Sequence, residues 1–221
     1  MDPEQDTREL HGSLKPHDSQ EPQDFFGDRK RSELIRKGLH FLIALAPVLA
    51  VLHKPFTLVL LITGTAAYTV MEYLRRRGFT IPVISSLTVA ASRRRDMGRF
   101  VLGPVTLGIG AILPLLLFPP QIAAIAIYAL AFGDGTASLA GKFLGRVRPR
   151  MFFGKSLEGS LACFLGVLFS AYLVTFCYGN KNWHTALIAA ITATAAEVIP
   201  VKDWDNVIIP LAVGLIMLFV I

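Results

Sequence analysis

Residues 159–179 read GSLACFLGVLFSAYLVTFCYG, a run without one charged side chain. A helix that crosses a bilayer needs about 20 mostly apolar residues, because in hydrocarbon every backbone N–H and C=O must be bonded within the segment. This run meets that requirement, and it has company. Apolar segments also occupy residues 38–53, 55–74, 100–118, 121–141, 184–197 and 206–221, the one at 184–197 being short. They leave 53% of the 221 residues hydrophobic and 17% charged, where soluble domains carry roughly 25% charged residues. The mean hydropathy of +0.53 agrees. The fold class implied is all-α: a polytopic transmembrane bundle of about seven spanning helices.

Orientation follows from the positive charges, which are retained on the cytoplasmic side. With a cytosolic N-terminus, Lys54 and Lys181 are the only members of the 22 Lys and Arg that fall in outer loops. The same asymmetry explains the net charge of +6 with no nucleic-acid partner, since the basic loops lie beside anionic headgroups. Trp183 and Trp204 then fall at opposite interfaces, where amphipathic indoles belong. Between the second and third segments, Arg75-Arg76-Arg77 precedes Ile81, Ile84, Leu87 and Ala91 at helical spacing, followed by Arg93-Arg94-Arg95 and Arg99. That stretch is too short and too basic at its ends to span, and reads as an interfacial helix. Residues 1–28, rich in Asp, Glu, Gln and Pro, read as a disordered cytosolic tail. No small-residue cleavage pattern marks them as a signal peptide. Cys163 and Cys177 share one segment, roughly 21 Å apart along a helix, and cannot bridge.

Three polar clusters interrupt the apolar pattern, and in this topology all open onto one cytosolic face. Ionisable groups inside spans are costly and by default mark a site for a polar ligand. The densest cluster is FGDGTASLAGKFLGR at 132–146. Asp134, Ser138, Gly141 and Gly145 share one helix face with Lys142 beside it. An acid and a cation on one wall suit a metal-bound phosphate, and the glycines permit close backbone approach. Gly141 and Gly145 equally form a GxxxG helix-packing pair, which leaves Asp134 unexplained.

The second cluster runs from Arg146, Arg148 and Arg150 to GKSLEGS at 154–160. A basic loop ahead of a glycine-flanked helix start offers an anion both side-chain cations and free N–H groups. The positive-inside pattern covers Arg148 and Arg150 but not Glu158. Residues 149–156, PRMFFGKS, approximate the nucleotide-binding P-loop, yet Pro149 replaces its first glycine and no strand precedes it. Proline has no N–H and no positive φ, so the match is accidental.

The third cluster is Glu197, followed by Pro200, Lys202, Asp203, Asp205 and Asn206. Asp205 or Asn206 would serve as an N-cap. A carboxylate closing the apolar run from Ala186 to Ala196 is expected to face the bundle interior and bind something. A weaker group, Glu33, Arg36, Lys37 and His40, opens the first helix. Arg36 and His40 stand one turn apart, suited to a single phosphate or headgroup, while Lys37 reads more plainly as a snorkelling anchor.

Taken together, these residues resemble the membrane-bound, CTP-dependent lipid-alcohol kinases: dolichol kinase, phytol kinase and the yeast-type diacylglycerol kinase, relatives of the phosphatidate cytidylyltransferases. The matching stretches are RKGLHF at 36–41, FGDGTASLAGKFLGR at 132–146, GKSLEGSLACF at 154–164, and Glu197 followed by DNVIIPL at 205–211. The cytidylyltransferase signature KRxxKD with PGHGG is missing, and after Asp205-Asn206 one apolar helix remains, an ending that looks like the kinases. The resemblance implies transfer of the γ-phosphoryl group of CTP, or another nucleoside triphosphate, with Mg²⁺. The acceptor would be the hydroxyl of a polyprenol-, dolichol- or phytol-type isoprenoid alcohol or of diacylglycerol.

On that reading residues 29–221 are a single transmembrane catalytic domain whose site faces the cytosol, with a prokaryotic plasma membrane as the expected location. Asp134, Glu158 and Asp205 are the catalytic carboxylates, and the same three with Glu197 are the metal ligands. Gly141, Lys142, Gly145, Arg146, Lys155, Ser156 and Asn206 surround the nucleotide and its phosphates, and Arg36, Lys37 and His40 meet the substrate headgroup. Such an inventory suits phosphoryl transfer, which needs positioning and charge neutralisation more than covalent chemistry. A nucleotidyltransferase and a small multi-pass transporter are the competing readings, because intramembrane acids among small residues suit transport equally. No repeated halves of the transporter kind are visible. Which carboxylate takes the hydroxyl proton stays open, as does a homo-oligomer, since GxxxG pairs pack within a chain as readily as between chains.

Overall fold

The computed structural model describes residues 36–79, 100–179 and 182–221. Every regular element among them is helical. Helix α1 covers residues 36–43 and passes through a turn at Ala44 into α2, Leu45–Arg76. Then come α3, Gly103–Leu117, and α4, Pro120–Tyr128, which continues through a π-helical turn, Ala129–Asp134, into α5, Gly135–Phe143. The chain finishes with α6, Leu157–Cys177, α7, Trp183–Val198, and α8, Asp205–Val220. Short 3₁₀ turns at Arg150–Phe152 and Lys202–Trp204 precede α6 and α8. The expected tail at 1–28 and the expected interfacial helix around residues 81–91 lie outside the described residues.

Proline sets the first reversal. His53 interrupts α2 with extended backbone angles, φ −157° and ψ 88°, two residues before Pro55. A proline inside a helix removes one i to i−4 bond and crowds the carbonyl four residues back, so the helix breaks there. His53 caps the new start: its Nδ1 accepts the N–H of Phe56 at 3.0 Å, and its carbonyl accepts the Thr57 hydroxyl at 3.1 Å. The chain doubles back at this point. Lys37 reaches Asp134, Lys54 lies beside Leu115, Phe118 and Pro120, and Glu72 returns to accept the N–H of Val101 at 3.0 Å.

Among the described residues the seven apolar segments of the sequence fall largely on helix: α1 with the start of α2, the rest of α2, α3, α4 with α5, α6, α7 and α8. Three helices are long and apolar enough to cross a membrane: Leu45–Arg76, Pro120–Phe143 and Leu157–Cys177. Helices α3 and α8 are shorter apolar helices, and at about 1.5 Å per residue they fall short of a hydrocarbon core about 30 Å thick. The chain is thus a membrane protein, all-helical among the described residues.

Helix α4 with its π turn forms the centre of the bundle, buried almost without interruption from Ile122 to Ala131. Around it pack α6, α7, α8 and α3. Helix α7 turns Ala186, Ala189, Ala190, Ala193 and Ala196 inward at helical spacing, and such small side chains let neighbouring backbones approach closely. Gly110 serves the same end at the α3–α8 contact, where a Cβ would stand 2.0 Å from the carbonyl oxygen of Asn206. Cys163 is buried, Cys177 is exposed and both are free thiols, as their spacing required. Trp183 and Trp204 are both exposed.

Candidate active site

One end of the bundle holds a cavity of about 470 Å³, within the range of small-molecule sites. Helix α1 contributes Arg36 and His40, the segment entering α3 contributes Val101 and Gly103, and the π turn with α5 contributes Asp134, Ser138, Gly141 and Lys142. The α5–α6 loop adds Arg148, Lys155 and Ser156, the end of α7 adds Glu197, and the start of α8 adds Asp203, Asp205 and Asn206. All four polar clusters of the sequence are represented in one wall.

The π turn, with one residue more per turn than an α-helix accommodates, carries Asp134 into the bundle. Its Oδ2 lies 2.6 Å from Nζ of Lys37 and 3.2 Å from Nδ1 of His40. Lys37 also donates to the Asp134 backbone carbonyl at 3.2 Å. Lys37 is 1% exposed, so the snorkelling role expected for it is replaced by an interior one. A carboxylate taken out of water needs such a partner. Lys37 holds Asp134 from behind, while Arg36 and His40 line the cavity; Glu33 lies outside the described residues.

A second ion pair faces the first. Phe153 and Gly154 adopt left-handed angles, φ 49° and 88°, a turn that ends the basic loop and brings Lys155 to α7. Its Nζ lies 2.8 Å from Oε1 of Glu197 and also donates to the Glu197 backbone carbonyl. The C-terminal turn of a helix, where carbonyls are unpaired and the dipole is negative, favours a cation there. Ser160 donates to Oε2 of Glu197 at 3.3 Å. Ser156 caps α6, its hydroxyl accepting the Gly159 N–H at 3.1 Å. Asn206 is not the cap suggested by its position: its amide donates to Gly103 O at 3.3 Å and to Thr106 Oγ1 at 2.9 Å, tying α8 to α3. Asp205 has no ion pair among the described residues; its Oδ1 accepts the Asn206 N–H at 3.0 Å.

Besides Lys37, three predicted site residues stand outside the cavity wall: Glu158, Arg146 and Gly145. Glu158 folds back on the loop, Oε1 accepting the N–H groups of Arg146 and Val147 at 2.9 and 3.1 Å. Arg146 is accordingly engaged through its backbone, with its side chain exposed. At Gly145 a Cβ would fall 2.2 Å from Gly141 O and 2.7 Å from Ser156 Oγ, so the Gly141–Gly145 pair packs α5 against the start of α6 within the chain. Gly141 alone of the two also lines the cavity.

Two residues were overlooked in the sequence. Arg148, assigned to the positive-inside pattern, reaches across the loop to donate to Gly154 O at 2.9 Å and to Gly141 O at 3.4 Å, and lines the cavity. Glu72 is fully buried and accepts from Arg75 Nε and Nη2, both at 2.7 Å, besides the Val101 N–H. Its signal was present: a lone carboxylate within the apolar run 55–74.

Among the described residues no three of His, Cys, Asp and Glu are grouped to hold a metal ion. The four carboxylates expected as one ligand set are divided among Lys37, Lys155, the loop backbone and the cavity. This inventory fits magnesium, which dehydrates reluctantly and is usually held by one or two carboxylates together with substrate phosphates.

No family model matches the chain, and no solved structure matches it. An uncharacterized protein of Methanocaldococcus jannaschii is 26% identical over 187 residues, covering 84% of this chain and 92% of that protein. A probable chloroplastic phytol kinase of Triticum aestivum is 29% identical over 144 residues, covering 59% of this chain and 48% of the kinase. A CTP-dependent diacylglycerol kinase of Saccharomyces cerevisiae is 28% identical over 151 residues, covering 59% and 52%. The chain spans about half the length of these named kinases. The likenesses support a relationship to CTP-dependent lipid kinases.

Proposed function

We propose that this chain is a membrane-embedded lipid-alcohol kinase that moves the γ-phosphoryl group of CTP to the hydroxyl of an isoprenoid alcohol or diacylglycerol. The observation that carries the reading is the convergence of cations and carboxylates from α1, α5, α7, α8 and the α5–α6 loop on one cavity at the end of an apolar bundle. The likeness to phytol kinases and CTP-dependent diacylglycerol kinases supplies the reaction class and the nucleotide. On this reading all seven passages lie in the membrane and the basic mouth faces the cytosol. The acceptor's tail stays in the bilayer while its hydroxyl enters the cavity.

Lys142, Lys155, Arg36 and Arg148 bind the polyphosphate. Asp134, fixed by Lys37 and His40, and the nucleotide's own phosphates would hold magnesium, which when bound neutralises charge on the transferred group. Asp205, a cavity carboxylate with no ion pair among the described residues, receives the proton of the acceptor hydroxyl. A new oxygen–phosphorus bond forms at the γ-phosphorus, the bond to the β–γ bridging oxygen breaks, and CDP departs against the cations. Lys155 must exchange Glu197 for phosphate in this cycle, so nucleotide binding is coupled to the α6–α7 contact. Tests with purified protein in phosphatidylcholine vesicles, CTP, MgCl₂ and phytol, a polyprenol or diacylglycerol should yield a lipid monophosphate by mass spectrometry. A CDP-lipid, or solute flux with no phospholipid product, would contradict the proposal.

A further inference from the structure

The loop between α5 and α6 has part of its backbone hydrogen-bonded within the loop and its apolar side chains exposed. Leu144, Val147, Met151 and Phe153 are 66, 52, 76 and 68% exposed. Loops normally leave polar backbone for water to satisfy, whereas here a part of it is paired within the loop. The N–H groups of Arg146 and Val147 go to Glu158, and the Val147 carbonyl accepts from Leu157 N–H at 2.9 Å. The carbonyls of Pro149 and Phe152 accept from Phe152 and Lys155, and that of Gly154 accepts from Arg148. Pro149 has no N–H to satisfy.

Such partial pairing suits the wet headgroup–acyl boundary, since full entry into hydrocarbon would require every backbone group to be bonded. The loop also cannot stray from the bilayer. It joins Pro120–Phe143 to Leu157–Cys177, two of the three helices long and apolar enough to cross a membrane. Arg146 and Arg150, both exposed, flank the apolar tip and supply charge complementary to anionic headgroups.

We infer that the α5–α6 loop is an interfacial anchor: Leu144, Val147, Met151 and Phe153 seat in the headgroup–acyl boundary of the leaflet at the cavity mouth, and Arg146 and Arg150 bind anionic lipid headgroups. Phe153, Gly154 and Lys155 belong to loop and cavity wall alike, so the anchor holds the cavity rim at the depth of a lipid headgroup. This assigns Glu158 a purpose: it braces the loop for insertion.

The test uses the whole chain with Cys177→Ser, adding Met151→Cys labelled with an environment-sensitive fluorophore, in vesicles of phosphatidylcholine with and without phosphatidylglycerol. The unsubstituted Cys177→Ser chain controls for labelling of buried Cys163. Blue-shifted emission, with loss of intensity to lipids carrying a nitroxide near the top of the acyl chain, is expected. Emission typical of water would overturn insertion, and shielded emission that nitroxide lipids fail to quench would show instead a protein partner, a second copy included. Phosphatidylglycerol should deepen the quenching, and Arg146→Gln with Arg150→Gln should abolish that increment. Quenching indifferent to phosphatidylglycerol would overturn the headgroup contact.

Discussion

Lys37 and Asp134 lie 97 positions apart in sequence and 2.6 Å apart in the bundle, both almost inaccessible to solvent. Burying two charges costs about as much as their attraction returns, so such a pair is poor evidence of stability and better evidence that the carboxylate is wanted there. Asp134→Asn keeps the shape and a hydrogen-bonding oxygen but removes the charge. It should lower the thermal transition in detergent, because Lys37 is left with an uncompensated buried charge, and in the protein that remains folded it should lower phosphoryl transfer by about 10²-fold or more, the scale on which lost preorganised electrostatics is felt. Normal turnover in that variant would remove Asp134 from the site. Lys37→Met strands the carboxylate and should destabilise the protein by about 3–5 kcal/mol, measured by denaturant titration in detergent. Adding Asp134→Leu to Lys37→Met should restore most of that stability and none of the activity. Equal stability of the single and double variants would show that the pair is not coupled.

Elements bring these residues together. The ends of α5 and α6 meet where Gly145 approaches Gly141 O and Ser156 Oγ, with no room for a methyl group. Gly145→Ala should therefore cost about 1–3 kcal/mol by overpacking, read from the same denaturation curves. An unchanged midpoint would mean that the contact is slack. Much of this level could be read from the sequence. The apolar runs mark the helices, and the break between the runs 38–53 and 55–74, at Lys54, adjoins the interruption that the structure shows at His53. The π turn could not be read, because no local composition marks the extra residue; it is set by Asp134 reaching Lys37 and by Thr136 bonding back to Phe132 and across to Ala162. Lys37 was mistaken for an anchor for the same reason: a lysine near a helix start snorkels unless a buried acid elsewhere in the fold claims it. Glu158 was read as a metal ligand because its partners, two backbone N–H groups, leave no trace in residue type.

At the scale of the molecule, the polar clusters line one cavity, and on the proposed topology His53, Lys54, Pro119 and Trp183 lie at the opposite membrane face. Single cysteines at Lys54 and Arg150, introduced into the Cys177→Ser chain, should react with an impermeant maleimide from opposite sides of sealed vesicles. Reaction of both from one side would refute the seven-passage topology in the membrane. A kinase and a nucleotidyltransferase differ in which bond of the nucleotide breaks. Reconstituted protein supplied with a lipid alcohol should transfer radiolabel to the organic phase from γ-labelled CTP, none from α-labelled CTP, and neither with Asp134→Asn. Lipid carrying the α label, or γ label transferred undiminished by Asp134→Asn, would contradict the proposal.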